Sequence, residues 1–320
     1  MNIGRDKHIN LEIQSAFATD TIHGLSQTPK SLPCKWFYDE NGSRLFEAIT
    51  KTPEYYLTRV ETMLLLDLVS ELIEFIPHMA AVIEPGSGSS IKTRILLESQ
   101  PKLQRYVPID ISEEFLFEAA RQLRHDFPAL KIAPLVADFT APMPALTLDA
   151  EVERMVFFPG STIGNFTPEE AKQLLRNIHT MAGKHAWLLI GVDMTQDEDI
   201  LLAAYNDVAG LTAQFNKNIL VRANRELGAD FDPTYFSHRA YFNKRERRVE
   251  MHLVSEKNQE VKIHRQAFYF EQGESIHTEN CYKYSRVDFE LFAHECGWRF
   301  EHVWTDQQES NFGIFLLKSI

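Results

Sequence analysis

The residues best suited to chemistry in this 320-residue chain stand at the ends of three apolar runs. The first run reads AAVIEPGSGSS over Ala80–Ser90: β-branched residues, Glu84, then Gly86 and Gly88 flanking a serine, with a helical pattern following over Ile91 to Ser99. Glycine permits positive φ and lets the backbone approach a ligand, while a helix starting behind it points free N–H groups outward. That suits the cradling of a nucleotide-like group, although an ordinary tight turn has the same pattern. Ile91 stands where the third glycine of GxGxxG would be, so a pyrophosphate clamp is not expected. The second run, RYVPIDI over Arg105–Ile111, ends in Asp110, placed to accept hydrogen bonds from a ribose diol. The third, Lys131 to Phe139, ends in Asp138-Phe139, an acid for an adenine amino group and a ring for its face.

Elements that would position these residues can be read from periodicity. Apolar residues recur at helical spacing from Thr58 to Ile76. Strand patterns AAVIE, RYVPID, KIAPLVADF, MVFFPG and AWLLIGVD then alternate with helical patterns near Lys92–Glu98, Glu113–Leu123 and Pro168–Met181. Such alternation predicts a parallel sheet covered on both faces. Beyond Asp193 the pattern changes: residues 195 to 235 read as helical, and RAYFN, RRVEMHLVS and VKIHRQAFYF within 239 to 285 read as antiparallel strands. A helix over VDFELFAHECG and the strands FEHVWTD and FGIFLLKS would return to complete the first sheet. The expectation is an α/β core over 61–194 and 287–320, with a discontinuous α+β domain made of 1–60 and 195–286.

Composition excludes several classes. A formal net charge of -12 leaves no basic surface for a nucleic-acid backbone, and the one basic cluster, KRERR over Lys244–Arg248, reads as a solvated hairpin tip. The cysteines Cys34, Cys281 and Cys296 lie far apart without metal-type spacing, which fits a reducing cytoplasm. The segment MNIGRDKHIN has no apolar core of a leader peptide, and no run approaches the ~18 apolar residues of a membrane span. No membrane partner is expected, and monomer is the default.

Acid, glycines, acid and acid-aromatic, each at a strand's carboxyl end, resemble the class I methyltransferases that bind S-adenosylmethionine. A longer resemblance is carried by LPCKWFYDENGSRLFEAITKTPEYYLTR, EPGSGSSIKTR, PIDIS, ADF, GSTIGNFTP, AYND followed by LTAQFNKN, VEMHL and IHTENCYKY, in this order across nearly the whole chain. Together they are similar to the histidine Nα-methyltransferases of ergothioneine biosynthesis. The resemblance implies a Rossmann-like class I methyltransferase core with a discontinuous substrate-binding domain. It also implies trimethylation of the α-amine of free L-histidine to N,N,N-trimethylhistidine (hercynine).

For the cofactor, S-adenosyl-L-methionine, the resemblance implies Gly86, Lys92, Asp110, Asp138 and Phe139, with Lys92 on the methionine carboxylate. For the substrate it implies Tyr38, Phe46, Tyr55, Asn165, Tyr205, Met251, Glu279 and Cys281, with Tyr38 and Asn165 as the catalytic candidates. The chemistry is compatible: methyl transfer from a sulfonium is an in-line displacement that asks chiefly for a desolvated, aligned amine. A quaternary ammonium product favours aromatic faces, which Tyr38, Phe46 and Tyr55 supply, although rings at such positions also serve as core. Asn165 and Tyr205 are implied at the substrate carboxylate; their plainer readings are an Asx turn before Thr167-Pro168 and an amphipathic surface tyrosine. Strand alternation in IHTENCYKY places Glu279 and Cys281 on one face, suited to the two sides of an imidazole. The family pattern usually has serine where Cys281 stands, a weaker and larger partner here, and Met251 is the implied wall beside the ring. His277 shares the face of Glu279 with no second ligand near it in sequence, so no metal is expected. Two other readings remain: methylation of another small amine or amino acid, and a non-catalytic protein that binds S-adenosylmethionine.

Overall fold

The computed structural model describes residues 16–88, 91–100, 102–146, 153–306 and 311–320. The segment MNIGRDKHIN and Ser89 and Ser90 of the glycine turn lie outside them. The chain divides into two units: one takes the chain up to Tyr55 and Asp197–Cys281, the other Tyr56–Gln196 and Tyr282–Ile320.

In the larger unit, helix α3 (Tyr56–Phe75) turns Leu57, Val60, Glu61, Leu65, Leu68 and Leu72 inward at helical spacing. Strands β2 (Met79–Pro85), β3 (Arg105–Asp110), β6 (Glu153–Phe158) and β7 (Ala186–Asp193) alternate with α4 (Ile91–Ser99), α5 (Glu113–Asp126) and α6 (Pro168–Ala182). Every residue of β7, AWLLIGVD, is buried, as a strand covered on both faces requires. Between them, KIAPLVADF does not form one strand; it splits into β4 (Lys131–Ile132) and β5 (Leu135–Val136), each pairing in parallel with β3. Pro134 explains the break, since it offers no N–H to a ladder. The end of the chain supplies α9 (Arg286–His294), β13 (Trp298–Thr305) and β14 (Phe312–Ser319). The sheet order is β13-β14-β7-β6-β2-β3-β4, with β14 antiparallel to both neighbours. From β2 the chain runs outward to β3 and β4, then returns to β6 and continues to the other side. That reversal creates a switch point beyond the carboxyl ends of β2 and β6, where open α/β sheets bind ligands.

α6 starts where the sequence asks. Thr167 and Glu170 form a reciprocal capping box with Pro168 in the first turn, and Gly183 ends the helix at φ 76°. Its apolar face, with Leu174, Leu175, Ile178 and Met181, packs into a core shared with Ile83, Val156, Leu188, Ile190, Phe289, Trp298 and Phe315.

The smaller unit holds α1, helical over 16–25. It continues with β1 (Lys30–Ser31), α2 (Glu40–Ile49), α7 (Glu198–Ala204), α8 (Leu211–Leu227), β8 (Phe236–Asn243), β9 (Arg248–Ser255) and β12 (Ser275–Tyr282). Its sheet runs β1-β12-β9-β8. VKIHRQAFYF is a hairpin rather than one strand: β10 (Gln259–Ile263) pairs with β11 (Gln266–Phe270) around His264, at φ 54°. The basic cluster Lys244–Arg247 is the turn between β8 and β9, with Lys244 ion-paired to Glu198 at 2.7 Å. None of the three cysteines is joined in a disulfide. Among the described residues no helix is long and apolar enough to cross a membrane.

Candidate active site

At the carboxyl edge of the larger unit's sheet, Gly86 has φ 70° and Gly88 φ 29°, the left-handed region that favours glycine. A β-carbon on Gly86 would sit 3.2 Å from the Phe139 ring, so glycine here lets the turn lie against that ring. Gly86 N–H donates to Ile109 O at 2.7 Å, tying the turn to β3, and Phe139 meets Phe158 edge to face at 5.9 Å. Asp110 accepts from the Ser112 N–H at 2.9 Å. Burial raises its pKa despite backbone hydrogen bonds from Ser112, Ile111 and Gly88. A buried carboxylate of this kind can accept from a further pair of hydroxyls, as a ribose would offer. Asp138 gives Oδ1 to the Thr140 N–H and hydroxyl, 2.9 and 2.5 Å away, so an amino group would be left to Oδ2. Glycine turn, ring and two strand-end acids thus fit a nucleoside.

Two acids at this edge behave differently from the sequence reading. Glu84, the first acid of the strand-end series, does not face a ligand. It accepts from Thr93 Oγ1 at 2.8 Å and Tyr106 OH at 2.6 Å, pinning β2 to α4 and β3, and burial pushes its pKa up to about 7. Glu61, which sequence reasoning missed, is ion-paired to Lys92, and both its oxygens accept the Gly160 N–H at 2.8 Å. Lys92 therefore has a fixed counter-ion inside the fold. A signal existed, since Glu61 interrupts the apolar stripe of α3 between Leu57 and Leu65. Gly191 makes room for it: a β-carbon there would lie 2.0 Å from Glu61 Oε1.

The loop GSTIGNFTP leaves β6 through Ser161, at φ 53°, and a short 3-10 turn over Thr162–Asn165. Ser161 Oγ accepts the Asp193 N–H at 3.0 Å, and Asp193 Oδ2 in turn accepts from Tyr56 OH at 2.6 Å and Lys283 Nζ at 2.5 Å. This buried group anchors the loop to the end of β7, and none of its members was foreseen. Because Thr167 and Glu170 cap α6, the amide of Asn165 is not spent on the helix start.

The smaller unit gathers the other candidates. Tyr38 meets Phe46 at 5.6 Å and Phe46 meets Tyr55 at 6.0 Å, both edge to face. Phe215 of α8, another residue missed, touches both Tyr38 and Phe46, at 5.4 and 5.9 Å; its only signal was an aromatic ring within the string LTAQFNKN. Tyr38 is 38% exposed as a whole, but its phenol is crowded. Lost hydration first, then the charge of Glu279, then Tyr55, Cys34 and Cys281, hold its pKa well above normal, so it stays protonated. Tyr205 is not a surface residue; it is 7% exposed, and its hydroxyl donates to Cys281 Sγ at 2.7 Å. Met251 is buried on β9, whose carbonyl accepts from Thr278 Oγ1 at 3.0 Å. Tyr38, Tyr55, Tyr205, Glu279 and Cys281 thus form one neighbourhood of phenols, a carboxylate and a thiol. Asn165, by contrast, belongs to the larger unit with the glycine turn.

The surroundings of His277 were not legible from its place in the sequence. Sequence distance hid its neighbours: β9 lies beside β12, which stacks His252 on His277 with ring centroids 4.8 Å apart.

Comparison with known proteins accords with this geometry. The family profile described as histidine-specific methyltransferase, SAM-dependent, matches residues 17–319. The chain is 37% identical over 306 residues to the histidine N-alpha-methyltransferase of Mycolicibacterium smegmatis, covering 94% of each protein. It is 37% identical over 311 residues to that of Mycobacterium tuberculosis, again covering 94% of each. Ergothioneine biosynthesis protein 1 of Neurospora crassa is 33% identical over 205 residues, 62% of this chain and 23% of that protein. A match of this length, with nucleoside-type and phenol-carboxylate clusters both present, shows that the chain belongs to the S-adenosylmethionine-dependent, histidine-specific methyltransferase family.

Proposed function

We propose that the chain methylates the α-amino group of L-histidine three times, giving N,N,N-trimethylhistidine (hercynine), as a step of ergothioneine biosynthesis. The observation that carries this reading is the neighbourhood of Tyr38, Tyr55, Tyr205, Glu279 and Cys281 in a chain of a histidine-specific family. When bound, S-adenosylmethionine supplies an electrophilic methyl group. Gly86, Asp110, Asp138 and Phe139 are the residues proposed to hold its nucleoside, and Lys92 its carboxylate.

For the substrate, Glu279 accepts an imidazole N–H, Cys281 meets the other side of the ring, and Met251 walls it. Asn165 and the Tyr205 hydroxyl are assigned to the carboxylate. The oxygen of Tyr38, kept protonated, accepts an N–H of the neutral amine and so leaves its lone pair free and directed at the methyl group, and the rings of Tyr38, Phe46 and Tyr55 receive the growing positive charge. The test is purified protein with S-adenosylmethionine and each free amino acid in turn, read by mass spectrometry for one, two or three added methyl groups. Histidine is expected to gain three; no methylation of histidine overturns the proposal, and preference for another amine replaces it.

A further inference from the structure

We propose that Glu250, His252 and His277 form a binding site for one divalent transition-metal ion of the zinc class on the smaller unit's sheet. One ligand atom from each residue lies within 4.8 Å of the other two. Their convergence follows from the pleat. Alternation on β9 sends Glu250 and His252 to the same face, and the adjacent β12 sets His277 beside them. Two imidazoles and one carboxylate are a donor set that suits borderline divalent ions such as Zn²⁺.

The surroundings are those of an oriented ligand set. Arg248 Nε and Asn243 Nδ2 donate to Glu250 Oε1 at 2.7 and 2.9 Å, which turns Oε2 toward His252 Nε2, 3.0 Å away. His277 Nε2 lies 3.0 Å from the Glu279 carbonyl, which can only accept, so the proton sits on Nε2 and Nδ1 presents its lone pair. His252 Nδ1 is buried with no hydrogen-bond partner among the described residues, so this ring keeps an uncommitted nitrogen. Tyr241 stacks on His252 at 5.1 Å and donates to Glu250 Oε2, the oxygen that faces His252, restricting both side chains; a bound ion would share that oxygen with the tyrosine hydroxyl. The Arg248 charge opposes a cation, but it is spent on the far oxygen of the carboxylate. Bound metal would join β9 to the strand that carries Glu279.

The experiment is calorimetric titration of Zn²⁺ into the full, tag-free, chelator-stripped chain without histidine, with His252→Gln and His277→Gln beside it. One ion per chain is expected, with affinity at least tenfold weaker in each variant. Absence of saturable one-to-one binding, or wild-type affinity in both variants, overturns the site. Should the variants fail to fold, zinc anomalous scattering from crystals of the unaltered chain decides. A peak among Glu250, His252 and His277 supports the proposal, and zinc found only elsewhere refutes it.

Discussion

Glu279 and Cys281 carry the proposed recognition of the ring, and their chemistry sets different magnitudes. A hydrogen bond to a charged group is worth about 1.5–3 kcal/mol, so Glu279→Ala should weaken histidine binding about 10- to 150-fold while leaving S-adenosylhomocysteine binding intact. Calorimetry with each ligand checks this, and parallel losses for both would show general damage instead. Cys281 already receives the Tyr205 hydroxyl, and a hydroxyl at that position would be a stronger partner. Cys281→Ser should therefore tighten histidine by a few fold, measured the same way. Glu84 allows a pH prediction. Its folded pKa, about 7, lies above its unfolded value near 4.5, so the folded chain binds the proton more tightly. Stability on this account is full below about pH 4.5 and is lost as pH rises through 7, by about 3 kcal/mol at most. Glu84→Gln should flatten that decline in urea melts taken from pH 5 to 8; an unchanged slope would show that another group is responsible.

At the element scale, the fit of α3 against β7 depends on a missing side chain. Alanine at Gly191 would put its β-carbon 2.0 Å from Glu61 Oε1. Gly191→Ala should displace that carboxylate, release Lys92 and the Gly160 amide, and cost about 1–3 kcal/mol as overpacking does. S-adenosylhomocysteine affinity should fall with it, and normal affinity would mean that Lys92 is placed without Glu61. Elements were the most legible level of the sequence. β7 and α4 begin and end where their patterns do, because a continuous apolar run and a helix behind a glycine turn are local signals. The failures were local as well: Pro134 split one expected strand, and a turn without glycine at His264 concealed a hairpin.

For the whole molecule, β14 is the strand on which the larger sheet depends. It pairs with β7 on one side and β13 on the other, although Asp197–Cys281, between β7 and β13 in the chain, belongs to the smaller unit. Removing residues 282–320 should expose the buried edge of β7 and remove Lys283 from beside Asp193. Circular dichroism and solubility of the truncated chain should show an unfolded or aggregated product. A folded, S-adenosylhomocysteine-binding fragment would show that the rest of the sheet suffices.

Legible in the chain alone were the alternation that makes a parallel α/β core, the glycine turn with Asp110 and Asp138-Phe139 at strand ends, and the strings that mark a histidine-specific methyltransferase. These are local in the chain, and periodicity or short spacing expresses them. How polar groups are committed emerged with the folded chain: Glu84 to Thr93 and Tyr106, Lys92 to Glu61, Tyr205 to Cys281, Asp193 to Tyr56 and Lys283, and His252 against His277. Apart from Glu84 and Thr93, nine residues apart, each pairing joins segments at least 22 residues apart in sequence. The partner of a buried polar group is fixed by sheet order, register and the direction a side chain leaves its strand, none of which local pattern records.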